Sequence, residues 1–132
     1  MNSTRIVPIV TTADLPATRA FYVDLLGFEV CFDHGAYLGV RAGGKGSPEL
    51  GFMVPDDEAP EVFTGGGVCL AISVADADRE HARLVAAGAE IVQPPTDRPW
   101  GARSFVLRDP NGVALYVSHP IPMAVEFESH VR

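Results

Sequence analysis

Two stretches decide the fold when one is laid above the other: RIVPIVTTADLPATRAFYVDLLGFEVCF, Arg5 to Phe32, and GVCLAISVADADREHARLVAAGAEIVQP, Gly67 to Pro94. Each begins with a short apolar and β-branched run, then reaches an aspartate, Asp14 or Asp76, suited to accept a backbone N–H at a helix start. About a dozen residues of helical character follow, with Pro16 fitting the opening turn of the first helix, where its missing N–H is not needed. Both helices stop at a glycine, Gly27 or Gly88, where a left-handed residue is easiest. Leu15, Phe21, Leu25 and Leu26 are expected to form the buried stripe of the first helix, and Ala82, Val85 and Ala86 that of the second. Another extended run resumes after each glycine.

Working outward, the first helix is followed by FEVCFDH, AYLGVRA and ELGFMV, and the second by AEIVQ, RSFVLRD and VALYVSH. All six read as strands bounded by glycine, proline or serine. The last pair is joined by DPNG, with proline at the second turn position and glycine free to take positive φ. Each half is therefore β-α-β-β-β, and the chain is an α+β protein built from two tandem modules forming curled mixed sheets. The expected organisation is one domain over 1–132: module 1 at about 5–54, a linker over 55–66 that is mobile or faces a ligand, module 2 at about 67–118, and a tail from 119 to 132 that packs as helix or strand.

Composition narrows the function classes. The chain has 132 residues, 47% of them hydrophobic and 20% charged, enough apolar content for a folded core. No run of 18 apolar residues is present and no signal peptide is expected at the N-terminus, so the expected compartment is the cytoplasm and no membrane partner is expected. The net charge of −7, with Lys45 the sole lysine, disfavours nucleic acid and would attract a cationic ligand. Cys31 and Cys69 read as reduced thiols rather than a disulfide, and no CxxC pair supports structural zinc. The four histidines, His34, His81, His119 and His130, have no partner at metal-ligand spacing, and His81 reads as a solvated helix residue.

The duplicated unit, FYVDLLGF on the first helix and PWG…F…DPNG near the end resemble the vicinal oxygen chelate superfamily, which includes glyoxalase I, extradiol dioxygenases, fosfomycin resistance enzymes and bleomycin resistance proteins. The resemblance covers about residues 5–118. It implies incomplete barrels whose concave faces form the site, with metal-dependent members carrying His or Glu on the first and last strand of each half. Counting back from the capping aspartates gives Val7 and Cys69, and counting along the closing strands gives Phe52 and Tyr116. Valine and phenylalanine donate no lone pair, and one thiol with one phenol makes a poor site for a divalent cation, so no metal and no cofactor are expected.

A site there would be lined by aromatic rings from Phe32, Tyr37, Phe52, Trp100, Phe105 and Tyr116, with Cys69 beside them, and would suit a flat or cationic ligand. Phe21, Phe28 and Phe105 are also expected core. VPIVTTAD, LGFEVCF and RPWGARSFVLRDPNG are most similar to the bleomycin resistance proteins, which bind no metal for activity and sequester a large cationic, partly aromatic antibiotic at the interface of an intertwined homodimer. By that resemblance Pro8 matches the proline that lets the first strand cross to the other subunit, Trp100 and Tyr37 the ligand-stacking pair, and Phe32 a further aromatic wall. Asp33, Asp56, Asp57 and Glu58 could meet a cationic ligand.

The reading is thus a metal-free protein that sequesters an aromatic or cationic small molecule, an antibiotic of the bleomycin type in the sharpest form. A second reading is a lyase or oxidoreductase of the same superfamily, using an unrecognised metal site or acid–base work by Tyr116, Cys69 or His34. A third is a structural or regulatory partner protein.

Overall fold

A computed structural model describes residues 1–132. The elements run β1 (Ile9–Thr11), α1 (Leu15–Arg19) continued by a π-helical segment (Ala20–Leu25), β2 (Glu29–His34), β3 (Tyr37–Arg41), β4 (Glu49–Met53), β5 (Cys69–Ser73), α2 (Ala77–Ala86), β6 (Ile91–Arg98), β7 (Ala102–Arg108), β8 (Ala114–Pro120) and α3 (Val125–Glu128). The chain divides into two compact units, Met1–Gly66 and Gly67–Arg132. Unit 1 holds a sheet in the order β1-β4-β3-β2 and unit 2 one in the order β5-β8-β7-β6. Each sheet is open and mixed, with a parallel first–last pair and antiparallel neighbours elsewhere. The α+β, twice-repeated β-α-β-β-β architecture expected from the sequence is the one observed.

The two aspartates cap as expected. Asp14 Oδ1 accepts from Ala17 N–H at 2.9 Å and Asp76 Oδ1 from Arg79 N–H at 3.1 Å. Gly27 and Gly88 close the helices with φ of +79° and +84°. In unit 2 a further acceptor reaches the same helix end: His119 Nδ1, at the end of β8, takes the Ala77 N–H at 2.8 Å.

The buried faces differ from the apolar stripes expected. Leu15, Phe21, Leu25 and Leu26 are only half-buried, while Thr18 and Tyr22, one turn apart, are fully buried. Thr18 can go inside because its hydroxyl donates to Asp14 C=O at 2.8 Å and meets the Thr12 hydroxyl at 3.1 Å. The switch to i→i+5 bonding, Leu26 N–H to Phe21 C=O at 2.9 Å, turns Tyr22 onto the sheet against Phe52. On α2 the inner face is Ala77, His81 and Leu84, with Val85 51% exposed. His81 is no solvated surface residue: its ring meets the buried Phe105 edge-on at 5.3 Å.

The connections are held by local bonds. Asp109, 6% exposed, accepts from the N–H groups of Asn111 and Val113, both at 2.8 Å, which locks the DPNG turn. Residues 55–66, expected to be mobile or ligand-facing, are tied at Asp56, which accepts from Glu58 and Ala59, and at Phe63, whose N–H bonds Thr11 C=O at 2.9 Å. The tail forms both of the structures left open: β8 runs through Pro120, and α3 follows after Ala124 N–H bonds Pro99 C=O. No helix is long and apolar enough to cross a membrane.

Candidate functional site

Unit 1 carries a trough on the face of its sheet away from Tyr22. Side-chain alternation puts Glu49, Gly51 and Met53 of β4 and Tyr37, Gly39 and Arg41 of β3 on that face, because the ladders pair Tyr37 with Met53, Gly39 with Gly51 and Arg41 with Glu49. A bulge between Val30 and Phe32 breaks the alternation on β2, so both Cys31 and Phe32 reach the trough. Its volume is about 430 Å³, and its lining includes Val7 and Ile9 as well as Phe32 and Tyr37. The two rings meet edge to face at 5.7 Å, with Phe32 56% exposed.

Gly39 lines the floor, and Gly51 lies beneath the Tyr37 ring. A Cβ on Gly51 would overlap the Tyr37 hydroxyl and stand 2.7 Å from its Cζ, so the ring lies on the sheet only because nothing projects there. A Cβ on Gly39 would stand 3.2 Å from both Cys31 Sγ and Phe32 Cβ. Gly39 and Gly51 shape this face and are not picked out by the sequence analysis, although ELGFM and YLGVR do carry a glycine mid-strand, a known sign of close approach.

One end of the trough is a row of alternating charge. Glu29 pairs with Arg41 in the ladder and Arg41 with Glu49, and Arg5 of the N-terminal arm closes the row with an ion pair to Glu49. Arg41 Nη2 donates to Glu29 Oε1 at 2.7 Å, which holds the Glu29 carboxyl below its usual range and raises Arg41 in turn.

The equivalent face of unit 2 is filled. Its central positions are Val106 on β7 and Tyr116 on β8, paired in the ladder, with Ala71 beside Tyr116 on β5 and Gln93 beside Val106 on β6. Arg98 lies over this face, donating from Nε to Ser104 Oγ at 3.0 Å and from Nη2 to Gln93 Oε1 at 2.7 Å. Its guanidinium carbon stands 6.0 Å from the Trp100 ring centre, and Trp100 itself, in the β6–β7 turn, is 51% exposed. Tyr116 is 36% exposed and Cys69 is exposed.

The structure thus brings Phe32 and Tyr37 together in unit 1, and sets Cys69 and Tyr116 on adjacent strands of unit 2, with Trp100 at the end of that sheet. Phe52 is a correction. It is 1% exposed and packs against Tyr22 at 4.7 Å between ring centres, on the helix side of β4. The sequence count was one residue out of phase: Ile9 pairs with Gly51 as Ala71 pairs with Tyr116, so Gly51 is the true counterpart of Tyr116. Phe105 is core at 0% exposure, while Phe21 and Phe28 are half-buried around Tyr22. Pro8 precedes β1 and its carbonyl accepts from Gly51 N–H at 2.9 Å, so β1 is paired within its own unit.

The positions at which the resemblance would put metal ligands are therefore Val7, Gly51, Cys69 and Tyr116. That set has no imidazole and no carboxylate, and nowhere do three His, Cys, Asp or Glu side chains converge. These residues do not fit a divalent oxygen-chelating centre.

An open four-stranded sheet with one helix, repeated in tandem, defines the class of protein, and comparison with known proteins agrees. The sequence model of the Glyoxalase/Bleomycin resistance protein/Dioxygenase superfamily matches residues 5–117, and the chain belongs to that superfamily. A glyoxalase/bleomycin resistance protein/dioxygenase from Nocardioides shares the fold at TM-score 0.75 and 23% identity, over 92% of this chain and 85% of that one. TnmS3, an antibiotic binding protein from Streptomyces sp. CB03234, is similar at TM-score 0.74 and 25% identity, covering 90% and 97%. A glyoxalase/bleomycin resistance protein from the same Streptomyces is similar at TM-score 0.67 and 26% identity, covering 87% and 99%. No curated protein matches the sequence.

Proposed function

We propose that the chain is a binding protein that sequesters a flat aromatic ligand carrying positive charge, an antibiotic of the bleomycin type in the sharpest form, and releases it unchanged. The observation that carries this reading is the trough with its Phe32–Tyr37 ring pair, Phe32 exposed and Tyr37 half-buried, since a ring-lined trough free of convergent ligands holds a molecule better than it activates one. The net charge of −7 favours a cation, and the similarity to an antibiotic binding protein from Streptomyces supports the ligand class. Phe32 and Tyr37 act as the stacking walls of the unit 1 trough; on unit 2, considered by itself, Trp100 and Tyr116 offer a separate aromatic surface, with Cys69 as a neighbour without chemistry. The protein works without metal or cofactor, in the cytoplasm, as a homodimer. Each sheet has two edge strands, a reason for association, and Pro8 marks where a first strand would cross between subunits.

Titration with metal-free bleomycin, read by Trp100 fluorescence and calorimetry, tests the reading. The expected result is saturable binding with the antibiotic recovered intact, weakened up to about tenfold by Phe32→Ala. Turnover of the ligand, or binding that a chelator abolishes, would overturn it in favour of an enzyme.

A further inference from the structure

Behind the trough lies a second recess of about 370 Å³, lined by the N-terminal arm from Thr4 to Val7 and by Gly46, Ser47, Pro48 and Glu49. Arg5, Val7 and Glu49 line both spaces, so the Arg5–Glu49 ion pair stands in the partition between them. Its two ends are unlike. The Glu49 side chain is 20% exposed and its Oε2 is buried with no partner beyond Arg5, whereas the Arg5 side chain is 68% exposed. The arm that carries Arg5 is in no helix or strand, has Ile6 84% exposed, and is first bonded to the sheet at Pro8.

We propose that Arg5 is a tethered stand-in for the cationic group of the ligand: a planar cation that enters the trough takes over Glu49, releases Arg5 and joins the trough to the recess behind it. The inference rests on the sequestration reading and gives that site its charge specificity. The row Glu29–Arg41–Glu49–Arg5 is neutral as a whole, and removing Arg5 leaves one negative charge for the incoming group to meet. A carboxylate this enclosed requires a partner. A guanidinium this exposed is given up at little cost, no more than about fivefold in a binding constant. Glu49 therefore stays fixed while its partner can be exchanged. The aromatic rings of Phe32 and Tyr37 lie in the same cavity, so one ligand can stack on them and reach the carboxylate. A neutral ring system of the same shape gains the stacking alone and has nothing to offer Glu49.

The test uses two dyes, thioflavin T, which is planar and cationic, and the neutral benzothiazole that lacks its ring N-methyl group. Each is titrated into the full chain as wild type, Arg5→Gln, Glu49→Gln and Glu49→Asp, with thermal melts to confirm folding. Arg5→Gln is expected to bind thioflavin T about two- to fivefold tighter, with the neutral dye unchanged. Glu49→Gln is expected to lose about tenfold for the cation alone, and Glu49→Asp to retain the preference. Equal tightening of both dyes in Arg5→Gln would make Arg5 a steric cover and overturn the proposal. So would a Glu49→Gln variant that folds and still prefers the cation. If all four proteins bind both dyes alike, the exchange falls and sequestration stands. If neither dye binds any of them, the exchange falls, and the bleomycin titration decides sequestration separately.

Discussion

Units 1 and 2 have the same strand order and the same capped helix, yet their open faces are filled in opposite ways. Equivalent ladder positions hold Gly51 and Tyr116, Gly39 and Val106, Tyr37 and Ser104, Phe32 and Gln93. In unit 1 the central positions carry no side chain of their own, and the Tyr37 ring lies over Gly51 with Phe32 against it. In unit 2 the centre carries the large side chains, and Arg98 lies across the small polar ones, bonded to Ser104 and Gln93. Duplication repeats the backbone because caps, turns and strand periodicity are repeated. A cavity is repeated only if the side chains at the middle of the sheet are, and here they are not. The missing Cβ at Gly39 opens onto the trough, and the one at Gly51 makes room for its Tyr37 wall.

The sharpest challenge to this contrast falls on β4, where neighbouring residues face opposite ways. Phe52→Ala removes a fully buried ring packed on Tyr22 and is expected to cost about 3–5 kcal/mol in a denaturant melt. A loss below about 1 kcal/mol accompanied by weakened ligand binding would mean that Phe52 faces the trough and that the register given for β4 is wrong. Gly51→Ala moves unit 1 one step toward unit 2. It should cost about 1–3 kcal/mol through overlap with Tyr37 and should abolish ligand capture in the same calorimetric assay. Normal binding by that variant would show that Tyr37 has another place to go. The smallest effect expected is on the charge row. Glu29 is held below its usual value of 4.5, so its pairing with Arg41 stabilises the fold above that range and is lost as pH falls through the lowered value. Glu29→Gln should flatten the acid limb of a stability–pH profile, lowering stability slightly at neutral pH and leaving it unchanged in acid below the lowered value. A profile that overlays the wild type would mean the pair contributes nothing.

Much of the fold was legible because its signals are local. Asp14 and Asp76 as caps, Gly27 and Gly88 as stops and DPNG as a turn each act within a few residues, and their recurrence revealed the duplication. The helix stripes were less legible. Thr18 is buried through hydroxyl bonds to Thr12 and Asp14, and His81 through a ring contact with Phe105, partners that hydrophobicity counting ignores. Of the proposed site, Phe32 and Tyr37 were found as aromatics, but Phe52 was placed on the wrong face. A count along a strand fails by a whole face when it slips by one residue, and only the pairing of Ile9 with Gly51 and of Ala71 with Tyr116 sets the phase.

By itself, then, the sequence determined the β-α-β-β-β repeat, the helix ends and the closing turn, because each depends on residue type at short range. Only the tertiary structure decided that Gly39 lies opposite Gly51 and that Gly51 lies under Tyr37, that Glu49 meets Arg5 at the edge of a trough, and that Arg98 covers the matching face of unit 2. Those relations join residues on different strands, and strand pairing is a property of the folded sheet.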